Sequence, residues 1–144
     1  MTDFYMPEEA SAQEAIEAIG AELAMFDDWM DRYEFIIDLG RKLPPYPAAW
    51  QDEEHRVRGC QSQVWLAARE EAGQFLFTGA SDAAIVSGLV ALVLRVFSGR
   101  GRAEILATPA KFLHDLGLIG ALSTNRGNGV AAMVERIHEI AKAA

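Results

Sequence analysis

From Ala83 to Phe97 the chain is apolar almost without interruption, and Arg95 is the only charge in those fifteen residues. A helix of that composition has no polar face to offer to water, so the fold must enclose it on nearly every side. The uncharged part, Ala83 to Leu94, is far shorter than the ~20 residues that a membrane span requires. The stretch is therefore expected to be the central core helix, capped by Ser81 or Asp82. At 144 residues the chain is long enough for one domain built around such a helix. Hydrophobic residues make up 51% and charged residues 24%, ordinary for a globular protein.

Charge is unevenly placed. The formal net charge is −8, and eleven of the 21 acids but only one of the 13 Lys and Arg residues lie in residues 1–38. Phosphate binding needs clustered Lys and Arg, so a nucleic-acid partner is not expected. The acidic stretch reads first as a solvated helix face, and more sharply as a surface that steers a basic partner. The N-terminus lacks the basic-then-apolar order of a secretory signal. With one cysteine no internal disulfide can form, and a reducing cytoplasm is the natural compartment.

The remaining elements follow from periodicity and punctuation. Residues 1–10 read as a loose, flexible end and 11–144 as one domain. Ser11-Ala12-Gln13-Glu14 resembles a capping box that opens a helix with Ile16, Ile19, Leu23 and Phe26 on one face. Asp27 or Asp28 can cap a second helix, which fails at Gly40 and stops before Pro44-Pro45. Residues 55–58, 63–69 and 74–78 have strand character, with Ala72-Gly73 as a turn. Ser98 to Arg102 reads as a loop, followed by a short helix over 103–106. Thr108-Pro109 reads as the start of another short helix, ended by Gly117. Ser123 to Gly129 reads as a polar turn before a last amphipathic helix. Trp29, Trp50 and Trp65 read as core. Helices, then strands, then helices predict an α+β domain with a small antiparallel three-stranded sheet packed against helices.

The residue with the clearest chemical promise is the lone cysteine, Cys60, in Val57-Arg58-Gly59-Cys60-Gln61-Ser62-Gln63-Val64-Trp65. One thiol cannot build a multi-cysteine zinc site, and no histidine or carboxylate cluster has metal-ligand spacing. Cys60 is then a nucleophile, a redox thiol or a carrier, or else an inert, half-buried residue. Glycine before it and small polar residues after it suggest an accessible turn. Arg58, two residues away, would share a face with Cys60 in an extended strand and favour the thiolate. A hydrolytic Cys-His pair would need a base within hydrogen-bond reach. His55 lies on the opposite strand face, His138 sits mid-helix and His114 near a helix end, so none is well placed. Arg126, at the start of the last helix, could help hold an anionic sulfur. Asp82 is explained as a helix N-terminal charge without any further role.

Gly59-Cys60-Gln61-Ser62-Gln63-Val64-Trp65 closely resembles the signature of the SufE family, sulfur acceptors that work with cysteine desulfurases in iron–sulfur cluster assembly. Tyr33 to Pro44, Ser81 to Leu89 and Leu122 to Gly129 resemble the family's N-terminal helical pattern, central helix start and C-terminal turn, in that order. Thr124 departs from the family's usual proline, and Ala80 from an expected acid. The resemblance implies an α+β fold shared with cluster scaffold proteins (SufE/IscU-like), with Cys60 at a loop tip between two strands. It also implies a function. Cys60 takes persulfide sulfur from a SufS-like cysteine desulfurase, stimulates that enzyme and passes the sulfur to a SufB-like scaffold. Arg58, Gly59, Gln61, Ser62, Asp82 and Arg126 would support the loop or engage partners. The chain itself would bind no pyridoxal phosphate, metal or membrane, and a homodimer is compatible with this role. The competing readings are a stand-alone cysteine-dependent hydrolase or peroxidase, and a non-catalytic adaptor domain.

Overall fold

A computed structural model describes residues 4–59, 62–118 and 124–143, the last segment's side chains from residue 129 onward. Two helices come first, α1 (Ala12–Leu23) and α2 (Trp29–Arg41), followed by an irregular arm with one 3-10 turn at Ala48–Trp50. Strands β1 (Val64–Glu71) and β2 (Gln74–Ser81) lead into α3 (Ala84–Phe97). A two-residue strand β3 (Arg100–Gly101), short helices α4 (Arg102–Leu106) and α5 (Lys111–Asp115), and a long α6 (Thr124–Ala143) complete the order. Among the described residues no helix is long and apolar enough to cross a membrane.

The architecture is the expected α+β domain with a three-stranded antiparallel sheet, in the order β1-β2-β3. The strands themselves differ from the expectation. Residues 55–58 join β1 only through an isolated bridge between Arg56 and Trp65. The third strand comes instead from Arg100–Gly101, read in the sequence as loop. Two paired residues carry too little periodicity to be seen in a sequence. The β1–β2 hairpin closes from Val64 opposite Ser81 to Glu71 opposite Gln74, across Ala72-Gly73. Both turn residues have positive φ, 53° and 81°, the geometry that matches the right-handed twist of the strands.

Eleven of the fourteen residues of α3 are buried, as its composition demands. β2, α1 and α6 pack around it, and α2 crosses it at a glycine pair. A Cβ on Gly88 would collide with the Ile36 carbonyl oxygen, and one on Gly40 would lie 2.6 Å from the Gly88 nitrogen. The two backbones therefore touch, which only hydrogen-sized side chains permit.

Local signals hold at the first two helix starts. Ser11 accepts from the Glu14 amide at 3.1 Å, and Asp28 caps α2 by accepting from the Met30 amide at 3.0 Å. Gly117, at φ 76°, follows the end of α5. Three starts differ from the expectation. Ala83, not Ser81 or Asp82, is the N-cap of α3, and Ala110, not Thr108, is the N-cap of α5. α6 already begins at Thr124, within the expected turn. The Thr108 hydroxyl donates back to the Glu104 carbonyl instead, closing α4.

Residues 4–10, expected to be loose, lie against the sheet. The Tyr5 amide donates to the Phe77 carbonyl at 2.8 Å, and Ser98 Oγ donates to the Tyr5 carbonyl. The buried Arg100 guanidinium donates to the Glu9 carbonyl at 2.8 Å. Arg95, the one charge of α3, binds the carboxylates of both Glu9 and Glu22 in a bidentate manner, at 2.7–3.1 Å. The Arg95 hydrogen bonds hold the Glu9 carboxyl below the usual carboxylate range.

Gly88→Ala is expected to cost at or above the ~1–3 kcal/mol of core overpacking, because the new methyl meets backbone rather than a movable side chain. Urea denaturation reads this directly. Because the folded-state pKa of Glu9 is depressed, its contribution is complete above the ordinary carboxylate range and is lost as pH falls through the lowered value. Glu9→Gln should therefore lower the urea midpoint at neutral pH, and the gap to the parent protein should close as pH falls through the lowered carboxyl value.

Candidate functional site

The arm that follows α2 returns to the sheet as a short ladder on β1. The Val57 amide donates to the Val64 carbonyl at 2.8 Å, and the Leu66 amide donates to the His55 carbonyl at 2.9 Å. Residues 58–63 thereby become a closed loop at one end of the sheet. Cys60 and Gln61, at its centre, lie outside the described residues.

The two ends of this segment are placed by different means. On the incoming side Gly59 has φ 90°, a conformation that L side chains rarely adopt, and an added Cβ would sit 3.5 Å from Ala132 of α6. On the outgoing side Asp82 holds Gln63 twice. The Gln63 amide donates to Asp82 Oδ1 at 3.0 Å, and the Asp82 amide donates to the Gln63 carbonyl at 3.2 Å. The Asp82 carboxylate thus closes the thiol loop and does not cap α3. Ser81 Oγ accepts from the amide of Ala83, the N-cap residue, at 3.2 Å. Ser62, between the two anchors, is half-buried.

Arg58 lies in a turn rather than a strand, so the shared-face argument for it and Cys60 does not hold. Its guanidinium is exposed and reaches Glu53 Oε2 at 3.2 Å, while Arg56 reaches Glu53 Oε1 at 3.5 Å. Such exposed pairs are worth ~0–1 kcal/mol and exchange readily. A groove of about 410 Å³ opens beside this segment, between Glu53, Arg56, Val57 and Arg58 on one wall and Ala132, Glu135, Arg136 and Glu139 of α6 on the other. Arg126 belongs by its backbone to the first turns of α6; its side chain lies outside the described residues.

The histidines are committed elsewhere. His55 Nδ1 lies 2.8 Å from Asp52 Oδ1, and its ring stacks on Trp50 at 5.7 Å. This pairing pulls the Asp52 carboxyl below its ordinary range. His138 Nε2 lies 2.9 Å from the Thr108 carbonyl oxygen, with its ring edge-on to Phe97. His114 is a surface residue beside Asp115. Asp52, Glu54 and His55 bring ligand-type atoms within 4.8 Å of one another at the surface, a grouping common without an ion.

Two contributors to the loop escaped the sequence reading. Glu53 is three residues before Arg56, a spacing that could have flagged the pair. Ala132 carries no chemical signal, and only the tertiary structure places it against Gly59.

Comparison with known proteins gives the family and the fold. The family model for the SufE Fe–S metabolism associated domain matches residues 17–141. An uncharacterized SufE-like protein of Rhizobium meliloti is 41% identical over 128 residues, covering 85% of this chain and 91% of the relative. One from Rhizobium etli is 41% identical over 133 residues, covering 89% and 90%. The solution structure of a hypothetical protein from Thermus thermophilus shares the fold, with a TM-score of 0.73 at 21% identity over 92% of this chain and 94% of that one.

The role of Asp82 can be checked on the Gln63 amide. Asp82→Ala should accelerate its hydrogen exchange by about tenfold or more, the loss of a charge-assisted hydrogen bond. Asp82→Asn, which keeps an acceptor, should show a smaller change. Unchanged exchange in both variants would show that the carboxylate does not hold the loop.

Proposed function

Because the chain belongs to the SufE family, whose domain is associated with iron–sulfur metabolism, we propose that Cys60 is a persulfide carrier between a cysteine desulfurase and an iron–sulfur scaffold. In the first step the Cys60 thiol gives its proton to solvent. The thiolate then attacks the outer sulfur of a persulfide held on the desulfurase cysteine. The S–S bond of that persulfide breaks, the desulfurase thiolate leaves, and a new S–S bond forms at Cys60. In the second step the scaffold's acceptor thiolate takes the outer sulfur and the Cys60 thiolate is regenerated. No net oxidant is consumed, and the rate follows thiolate fraction and access.

The observation that carries this reading is that the chain is held on both sides of its one thiol, by the Val57–Val64 hydrogen bond before it and by Asp82 at Gln63 after it. A carrier must enter one active site and then another, so its cysteine belongs on a projecting tip with fixed ends. Arg58 and Arg126 fit roles in partner engagement or in favouring an anionic sulfur, and Gln61 and Ser62 fit the support of the tip. Removing sulfur from the desulfurase would stimulate that enzyme, with the pyridoxal phosphate remaining on the partner.

The test is the intact mass after incubation with a cysteine desulfurase and free cysteine. A gain of one sulfur atom, removed by a thiol reductant and absent in Cys60→Ser, is expected. A reactive Cys60 that gains no sulfur would overturn the carrier role. Arg126→Ala should slow the transfer; unchanged docking and transfer would remove Arg126 from the site.

A further inference from the structure

We infer that the open edge of β1, together with the groove between it and α6, is a docking site for an extended, uncharged segment of a partner protein, which adds to the sheet as a further strand. The inference goes beyond the carrier reading and does not depend on Cys60.

β1 is the outermost strand, with β2 on one side and only the arm at residues 55–57 on the other. In an antiparallel ladder alternate residues turn their main-chain groups to one neighbour and then to the other. The arm shows which groups of β1 point outward, because it binds the Val64 carbonyl and the Leu66 amide. By the same alternation the Leu66 carbonyl and both main-chain groups of Ala68 and Glu70 also point away from β2. The arm does not reach them. It turns aside at Asp52, whose Oδ1 accepts from the His55 amide at 2.9 Å. Among the described residues no main-chain group outside the sheet bonds to Ala68 or Glu70, and both residues are exposed. A row of unpaired amides and carbonyls of this kind is a template for another strand, and only an extended main chain matches its spacing.

The edge also has a wall beside it. An open groove of about 310 Å³ lies between β1 and the last turns of α6, lined on its apolar side by Ala68, the buried Phe75, Ile140 and Ala143. Arg136 and Glu139 line both this groove and the one beside Arg58. A strand added to β1 would direct every second side chain into the groove, where small or β-branched apolar groups suit the lining. The charges there cancel, Arg69 and Arg136 against Glu70 and Glu139. A segment of either sign therefore gains no net attraction, and recognition falls to the main chain and to shape. A second copy of this chain is the less fitting occupant, because each copy carries a formal net charge of −8 and the two would repel.

The experiment follows the amide NMR signals of the isotope-labelled full chain during titration with acetylated and amidated peptides Thr-Xaa-Thr-Xaa-Thr, where Xaa is Ala, Val, Ile or Leu. Before any addition, the Ala68 and Glu70 amides should exchange with solvent much faster than those of Ala67 and Arg69, which lie in the ladder to β2. At least one peptide should shift the Ala68 and Glu70 signals and slow their exchange by about tenfold at saturation, as expected for newly formed hydrogen bonds. N-methylation of one alternate set of that peptide's amides should abolish binding, while N-methylation of the other set should leave it intact. Ala68→Pro removes an outward donor and leaves the ladder to β2 whole, the kind of edge position where proline is tolerated. It should weaken the same peptide about fivefold or more. Should that variant fail to fold, the two methylated peptides decide the matter alone. Failure of every peptide to shift the two amides would overturn the inference, as would equal binding of both methylated forms. Shifts at Ala68 and Glu70 that grow with protein concentration alone would also overturn it, by assigning the edge to a second copy. The Cys60→Ser chain should bind the peptide as the parent does. A chain that accepts sulfur but binds no peptide thus refutes the docking site and leaves the carrier role standing.

Discussion

A helix with eleven of fourteen residues buried cannot share its neighbours with water, so the packing around α3 governs the rest of the molecule. Its closest neighbour is α2, and the closeness depends on Gly88 lying against the Ile36 carbonyl and on Gly40 lying against Gly88. Backbone contact brings the two helix axes nearer than any pair of ordinary side chains would allow. That spacing leaves the other sides of α3 to the sheet, α1 and α6. Ser81 and Asp82, which sit where the sheet feeds α3, are positioned by the same packing. Asp82 then has its carboxylate free to bind Gln63. The thiol loop thus takes its outgoing anchor from the entry point of the most buried helix.

The acidic N-terminal stretch shows how a charge count misleads when the partners are distant in sequence. Two of its carboxylates, Glu9 and Glu22, face the sole arginine of the apolar helix. Arg95 is largely enclosed, and leaving such a guanidinium unpaired would carry a large desolvation cost. It is satisfied by both carboxylates, which together attach the N-terminal segment and α1 to α3. Arg100, buried one turn later, is neutralised differently, by donating to the carbonyls of Val96, Arg95 and Glu9. Part of the apparent surface charge is therefore internal wiring. The other described acids of the stretch, among them Glu14, Glu17, Asp27 and Asp31, are exposed.

What the sequence made legible was whatever is encoded locally. The apolar run of α3, the caps at Ser11 and Asp28, the Ala72-Gly73 turn and the stop at Gly117 are all set by residues within a few positions of one another. The errors are equally physical. Arg100–Gly101 becomes a strand only because β2 is there to pair with it. Residues 55–58 alternate like a strand, yet only one bridge forms, since the chain must turn away at Gly59. Thr108 precedes a proline, as a cap would, but its hydroxyl finds the Glu104 carbonyl first. At the site, the motif around Cys60 was readable as a family resemblance. The bond from Asp82 to Gln63 was not, because it joins residues nineteen positions apart.

Those long-range anchors explain why so small a loop needs so much of the chain. Under the proposed carrier role the thiol must be reachable by two partners, which argues for a tip with few contacts of its own. It must also return to one place between encounters, which argues for ends that cannot wander. The two demands are met by different atoms. Before the thiol the Val57 amide donates to the Val64 carbonyl and Gly59 turns the chain at φ 90°, a conformation that L side chains rarely adopt; after it the Asp82 carboxylate holds the main chain of Gln63. Both attachments are made through main-chain groups of the segment and not through its side chains.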